Sequence, residues 1–408
     1  MAGPVPPPPL AQFAGSPTRR FYTGGKLDRA LGIDDLRART HRRMPRFALE
    51  YLEAGSEDEA TLAREREAFG EWRFLPRTLV DVSERTPARP ILDRPAPMPV
   101  IIAPTGLNGV FQEKADTALA IGAARAGVPF VQSTMSNDTI EQVAAVAGLR
   151  HWFQLYVFGP DHIWQALVDR AAAAGCEALV LTSNSQVFGN REWDARTRAS
   201  ETRPSLATIA NAAGHPRWLV TTLGHGLPSF VNVIGFVPKD HHGFFQSAFW
   251  IREQMPKSLS WDTVAKVRAR WPGKFLLKGI LNPEDVKLAL AAGVDGLVLS
   301  SHGGRQMDWA VAPLDILPRA RDIVGDRMTL MLSGGIRRGT DVLKAIALGA
   351  DAVMAGRAPL YGLCAGGADG VERALAILHK ELCDAMGLLG ISRLDQLGPH
   401  LLEPMRAL

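Results

Sequence analysis

The chain has 408 residues, with 46 lysines and arginines set against 42 aspartates and glutamates, and only three cysteines. This near balance, with no basic stripe of interleaved aromatics, excludes a nucleic-acid module. Cys176, Cys364 and Cys383 are scattered without C-x-x-C spacing, which excludes a disulfide framework or zinc site and suits a reducing cytoplasmic setting.

The N-terminal segment 1–20 carries Pro6-Pro7-Pro8-Pro9, lacks the regions of a signal peptide and is expected to be disordered. From Ile33 to Phe69 the spacing turns helical, with Pro45 opening a segment that carries Tyr51 and Leu52 and stops at Gly55. This predicts a small helical cap. Eight short apolar runs follow, each ending in a polar or glycine-rich tip. Pro99 to Ala103 leads into Pro104-Thr105-Gly106, Pro129 to Gln132 into Ser133, Trp152 to Val157 carries Gln154 and Tyr156, and Ala178 to Leu181 ends at Thr182. Lys274 to Leu277 precedes Lys278, Gly296 to Leu299 precedes Ser300, Thr329 to Leu332 precedes Ser333-Gly334-Gly335, and Ala352 to Ala355 precedes Gly356-Arg357.

Near-continuous apolar runs predict strands covered on both faces. Helical spacing fills Ala115 to Ala126, Thr139 to Ala147, Ile163 to Ala174, Pro283 to Ala292 and Asp341 to Leu348, several followed by a glycine suited to a helix C-cap. A doubly wound open sheet is the rival arrangement, but no G-x-G-x-x-G follows a strand. The pattern predicts an α/β fold, a (β/α)8 TIM barrel with an N-terminal helical cap and a long insertion after strand four, in a domain spanning 21–408.

The insertion, at about 185–273, holds Trp218, Phe230, Phe236, Phe244, Phe245, Phe249 and Trp250 among basic groups such as Arg217 and Lys239, with no apolar stretch long enough to span a bilayer. It reads either as a lid over the barrel mouth or as a peripheral membrane contact.

In such a barrel chemistry gathers at the strands' C-terminal tips, and phosphate is frequently held by the loops after strands seven and eight. Ser333 to Gly339 and Gly356-Arg357 supply glycines for backbone approach to an oxyanion, with Arg337 and Arg357 as bidentate forks. The tip Ser300-Ser301-His302-Gly303-Gly304-Arg305-Gln306 sets a histidine and an arginine on one loop of the same rim.

Ala103-Pro104-Thr105-Gly106, Phe153-Gln154-Leu155-Tyr156, Leu277-Lys278-Gly279, Ser300 to Gln306 and Gly334 to Gly339 together resemble the FMN-dependent 2-hydroxy acid oxidases and dehydrogenases, from about Ile33 to Leu389. Pro104 to Gly109 and Gly356 to Gly362 look most like the mandelate dehydrogenase branch, and Gly106, where glycolate oxidase has alanine, resembles its dehydrogenases and monooxygenases. The resemblance implies bound FMN, with Thr105, Gly106, Ser133, Gln154 and Thr182 along the ring and ribityl chain. Ser300, Ser333, Gly335 and Gly356 join this cofactor set, Lys278 stands beside flavin N1 and the C2 carbonyl, and Arg337 and Arg357 lie on the phosphate. It implies His302 as the general base, Tyr156 on the reacting hydroxyl, Arg191, Arg305 and Tyr51 on the substrate carboxylate, and Met135 and Phe188 around the substrate side chain.

The implied reaction oxidises a 2-hydroxy acid, bulky or aromatic and mandelate-like, to the 2-oxo acid, and passes electrons to oxygen, a quinone or another acceptor. A cytoplasmic homotetramer, with peripheral contact at the inner membrane face, is the implied setting; no metal or nucleic acid is expected. Three positions depart from the family: Asn184 and Ser333 each replace an aspartate, and Ser301 an asparagine. They leave open a member diverted to another flavin-dependent oxidation in a biosynthetic pathway, or a flavin-binding protein of low turnover.

Overall fold

A computed structural model describes residues 25–200 and 203–405, so the stretch 1–20 expected to be disordered lies outside the described residues. Eight parallel strands close into a barrel in chain order: Val100–Ile102, Pro129–Ser133, Arg150–Leu155, Ala178–Thr182, Lys274–Ile280, Gly296–Leu299, Thr329–Ser333 and Ala352–Ala355. Val100 pairs with Val353 to join first to eighth. Each strand is followed by a helix of the outer ring: Ala115–Arg125, Ile140–Ala144, Asp161–Ala173, Trp261–Arg270, Pro283–Ala291, Pro313–Val324, Gly339–Ala347 and Arg357–Leu389.

The alternation of side chains along a strand explains both the core and the site. Ile101, Val131, Trp152, Val180, Leu276, Val298, Met331 and Met354 fill the barrel interior. Their neighbours, including Phe130, Phe153, Leu181, Leu277, Leu299 and Leu332, pack outward against the helices. Two residues beyond an interior position the chain again faces inward, now at the C-terminal mouth. This puts Ser133, Gln154, Thr182, Lys278, Ser300 and Ser333 on one rim. Ile91, Leu92 and Ala96 join the inner cluster from the chain before the first strand. Arg150 at the start of the third strand donates to the Ile91 carbonyl at 2.9 Å, so this segment closes the opposite end.

The cap consists of three helices, Ile33–Arg43, Arg46–Glu53 and Ala60–Gly70. Its last two turn toward the mouth because backbone amides at their ends bond to the loop after the sixth strand. Ser56 N–H donates to the Gly304 carbonyl and Thr61 N–H to Asp308 Oδ1, both at 2.8 Å.

Several boundaries differ from the sequence reading. The third strand runs Arg150–Leu155, leaving Tyr156 just past its end, and the Thr139 to Ala147 helix shortens to Ile140–Ala144. The expected insertion at 185–273 includes a barrel element, since Trp261–Arg270 is the crossover helix after strand four. Two ring helices were unanticipated because their sequences carry breakers: Pro318 inside Pro313–Val324, and the non-helical pair Gly366 and Gly367 inside Arg357–Leu389.

Candidate active site

The mouth opens into a cavity of about 720 Å³, within the range of small-molecule sites. Tyr51, Thr105, Gly106, Ser133, Met135, Tyr156, Phe188, Arg191, Lys278, His302, Arg305, Ser333, Gly335, Arg337, Gly356 and Arg357 line it. Gln154, Thr182 and Ser300 of the expected set stand one layer behind. Ser133 Oγ donates to Gln154 Oε1 at 3.0 Å, and Thr182 is paired in register with Lys278. Ser300 Oγ accepts from Lys278 Nζ and from the His302 amide, each at 3.1 Å.

His302 occupies the left-handed region at φ 63°, a conformation that side chains other than glycine adopt at a cost and that clusters at functional sites. Asn184 fixes the ring's tautomer. Its Nδ2 donates to the Ser300 carbonyl at 3.2 Å, which turns Oδ1 to His302 Nδ1 at 3.3 Å and requires the proton on Nδ1. Nε2 is thereby left as the acceptor, 3.5 Å from the Tyr156 hydroxyl. Burial, followed by Lys278, Arg191, Arg305 and Arg357, holds His302 well below the usual histidine range, so the ring is neutral. Asn184 in turn needs Gly279: at φ 110° in a bulge of the fifth strand, any Cβ at 279 would come within 2.5 Å of the Asn184 side chain.

Arg191 and Arg305 face the same space, and among the described residues both hydrogen-bond to backbone carbonyls. Arg305 Nη1 donates to the Tyr51 carbonyl at 2.6 Å and lies 4.9 Å above the Tyr51 ring, while Arg191 Nε donates to the Arg305 carbonyl at 3.3 Å. Burial and the neighbouring Arg305 push Arg191 down to about 10. The carboxylate of Asp194, which lines the same cavity, acts on Arg191 from one side. Tyr51 donates its hydroxyl to the Gly106 carbonyl at 2.9 Å, a proton that rotation about the C–O bond can turn to a carboxylate in the cavity.

Arg337, just before helix Gly339–Ala347, and Arg357, the first residue of helix Arg357–Leu389, also line the cavity. Arg357 donates to the carbonyls of Leu52 and Gly303 and is pushed down to about 10 by burial and by Arg337. Lys278, 4% exposed, is pushed down to about 8 by burial.

Sequence reasoning missed Glu65. On the cap helix Ala60–Gly70 its buried face also carries Thr61, Ala68 and Phe69. That spacing was the available signal, hidden by the charged run Arg64-Glu65-Arg66-Glu67. Ser301 Oγ donates to Glu65 Oε1 and accepts from the Gly304 amide at 2.9 Å, so the departure at 301 is matched by a carboxylate from the cap.

Residues 40–404 match the FMN-dependent dehydrogenase family. The chain belongs to that family. It is 39% identical over 372 residues to (S)-mandelate dehydrogenase from Pseudomonas putida, covering 91% of this chain and 93% of that one. It is 34% identical over 368 residues to an L-lactate dehydrogenase from Caulobacter sp., covering 90% and 97%. Among solved structures it superimposes with a TM-score of 0.88 and 38% identity on the monotopic membrane protein (S)-mandelate dehydrogenase, covering 92% of this chain and all of that one. This member is accordingly an FMN-dependent 2-hydroxy acid oxidoreductase.

The cavity suits the family's cofactor on its own terms. Three buried polar atoms around it, Thr105 Oγ1, Gln154 Nε2 and Glu65 Oε2, have no partner among the described residues, and such atoms are costly unless a ligand satisfies them. Gly334 and Gly335 hold positive φ, and a Cβ at either would strike Glu65, so glycine at the seventh-strand tip lets the cap helix pack against it.

Proposed function

We propose that this enzyme oxidises 2-hydroxy acids with bulky apolar, aromatic side chains, and that it does so against a membrane surface. The observation that carries the substrate class is the chamber above the arginine pair. Trp218, Phe230, Phe244, Phe245 and Phe249 of the insertion enclose it together with Met135 and Phe188, so a small acid would leave apolar walls uncovered. Within this reading Arg191 and Arg305 bind the substrate carboxylate, assisted by Tyr51, and set C2 between His302 and the flavin. Tyr156 hydrogen-bonds the reacting hydroxyl. Neutral His302 receives the substrate proton at Nε2, and Asn184 orients the ring through Nδ1. FMN, when bound, accepts the two electrons. Arg337, Arg357, Gly335 and Gly356 would hold its phosphate, Lys278 would face its N1 edge, and Thr105, Gly106, Ser133, Gln154, Thr182, Ser300 and Ser333 would surround the remainder.

Anaerobic titration tests the reading: (S)-mandelate is expected to bleach the flavin at concentrations where lactate leaves it oxidised. Bleaching by lactate at equal or lower concentration overturns the aromatic preference.

No described helix is long and apolar enough to cross a membrane. The insertion nevertheless exposes Leu206, Ile209, Val220, Leu223 and Leu227, from 38% to 85%, an apolar area that water disfavours and a lipid surface accepts. We infer peripheral attachment at the cytoplasmic face through this segment, and a homotetramer as its assembly.

A further inference from the structure

We propose that Glu65 is a flavin ligand, its Oε2 accepting a hydrogen bond from a hydroxyl of the ribityl chain. This rests on the placement of FMN proposed above.

The side chain is built to receive a donor. Glu65 is 2% exposed yet lines the cavity. Oε1 is taken by Ser301 Oγ, while Oε2 is buried without a partner among the described residues. A Cβ at Gly334 would lie 2.7 Å from Oε1 and 3.1 Å from Oε2, so the carboxylate stands directly against the tip of the seventh strand. Burial pushes the Glu65 carboxyl above its ordinary range, against the hydrogen bond from Ser301 and the charges of Arg357, Arg337 and Lys278. The group therefore sits among the cations proposed to bracket the flavin, Lys278 at the ring and the two arginines at the phosphate.

The chemistry of FMN then selects the partner. Its phosphate oxygens and the carbonyls of its pyrimidine ring are acceptors, which a carboxylate repels. Its donors are the ring N3–H and the three ribityl hydroxyls, and the hydroxyls occupy the stretch between ring and phosphate. A 2-hydroxy acid is a poorer candidate, because its own carboxylate belongs with Arg191 and Arg305. A buried carboxyl oxygen without a partner is costly, and a hydroxyl donor satisfies it, so the cap helix contributes to holding the cofactor from outside the barrel.

The test compares apoprotein affinity for FMN with that for an analogue whose N10 chain is an unsubstituted phosphopentyl group, read by quenching of flavin fluorescence. Glu65→Ala is expected to weaken FMN about ten- to hundred-fold and to leave the analogue's affinity within about twofold. Glu65→Gln keeps an acceptor without its charge, and the ratio of FMN to analogue affinity is expected to fall by a smaller factor. If the alanine variant does not fold, as judged by circular dichroism, the glutamine variant carries the test. Equal loss for both ligands, or tighter FMN binding in either variant, overturns the proposal. The placement is checked separately with Arg337→Ala and Arg357→Ala. If neither reduces the preference for FMN over riboflavin, the phosphate lies elsewhere and the placement fails, whatever Glu65 does.

Discussion

His302 combines a left-handed backbone with a neutral ring that lines the cavity, and each feature has a measurable consequence. His302→Ala is expected to abolish flavin reduction while FMN stays bound, because the ring acts on substrate rather than cofactor; reduction near the parent rate removes its role as base. Replacing Arg191 or Arg305 by lysine is expected to weaken substrate binding by roughly 1.5 to 3 kcal/mol, since a point ammonium cannot reproduce a bidentate fork. Unchanged affinity in both variants dismisses the carboxylate clamp. Asn184→Asp sets a carboxylate 3.3 Å from Nδ1 and favours imidazolium, the form reached after proton transfer. About a tenfold faster flavin reduction is expected, equivalent to roughly 1.4 kcal/mol in the transition state. The substitution also loses the bond to the Ser300 carbonyl. No change in rate for any substrate means that residue 184 does not couple to the base.

The insertion carries two proposed roles, which share Ile209, Leu223 and Leu227 but not Leu206 and Val220. One side lines the chamber through Trp218, Phe230 and Phe244, while helices Leu206–Ala213 and Pro216–Thr221 turn Leu206 and Val220 outward, 85% and 69% exposed. Neither outward residue lines the cavity. Leu206→Glu with Val220→Glu is therefore expected to lower binding to anionic lipid vesicles at least about tenfold, the scale of losing one buried aliphatic side chain, with flavin reduction in solution unchanged. Vesicle binding absent in the parent, or undiminished in the variant, rules out attachment through these helices. The cap helices work in the opposite sense, bringing Tyr51 and Glu65 inward from a segment far from the barrel in sequence.

Across the whole molecule, two buried groups tie stability to pH in opposite directions. His151 accepts no charge in the fold: burial pushes it down to about 4, between Gln132 and Cys176. The unfolded chain binds that proton below about 6.5, so stability is full above 6.5 and is lost as pH falls toward 4, by on the order of 3 kcal/mol. Asp116 is pushed up to about 6 by burial and by Asp138. It stabilises below its unfolded value and loses that contribution as pH rises through 6, which offsets much of the histidine effect. His151→Gln keeps a donor for Gln132 and is expected to lose less stability than the parent between pH 7 and 4.5, measured by urea unfolding. Equal losses show that His151 is not the titrating group. The barrel was legible because its signals are local: an apolar run ending in a polar or glycine-rich tip repeats strand by strand, and in six of the eight strands the polar residue, Lys278, Ser300 and Ser333 among them, stands two positions beyond an interior one. The loop carrying His302 and Arg305 was legible for the same reason, as residue types concentrated within seven positions. Helices Pro313–Val324 and Arg357–Leu389 were not, since Pro318 sits inside the first and the non-helical pair Gly366 and Gly367 kinks the second. Composition along the chain also could not divide the stretch 185–273 between insertion and barrel helix, because the aromatics of both are apolar. Sequence by itself therefore determined the architecture and the rim, where period and spacing act within one strand and its tip. Only the tertiary structure decided that Glu65 meets Ser301 and Gly334, that Asn184 sets the His302 tautomer and that the insertion roofs the cavity, because each depends on distance in space between segments far apart in the chain.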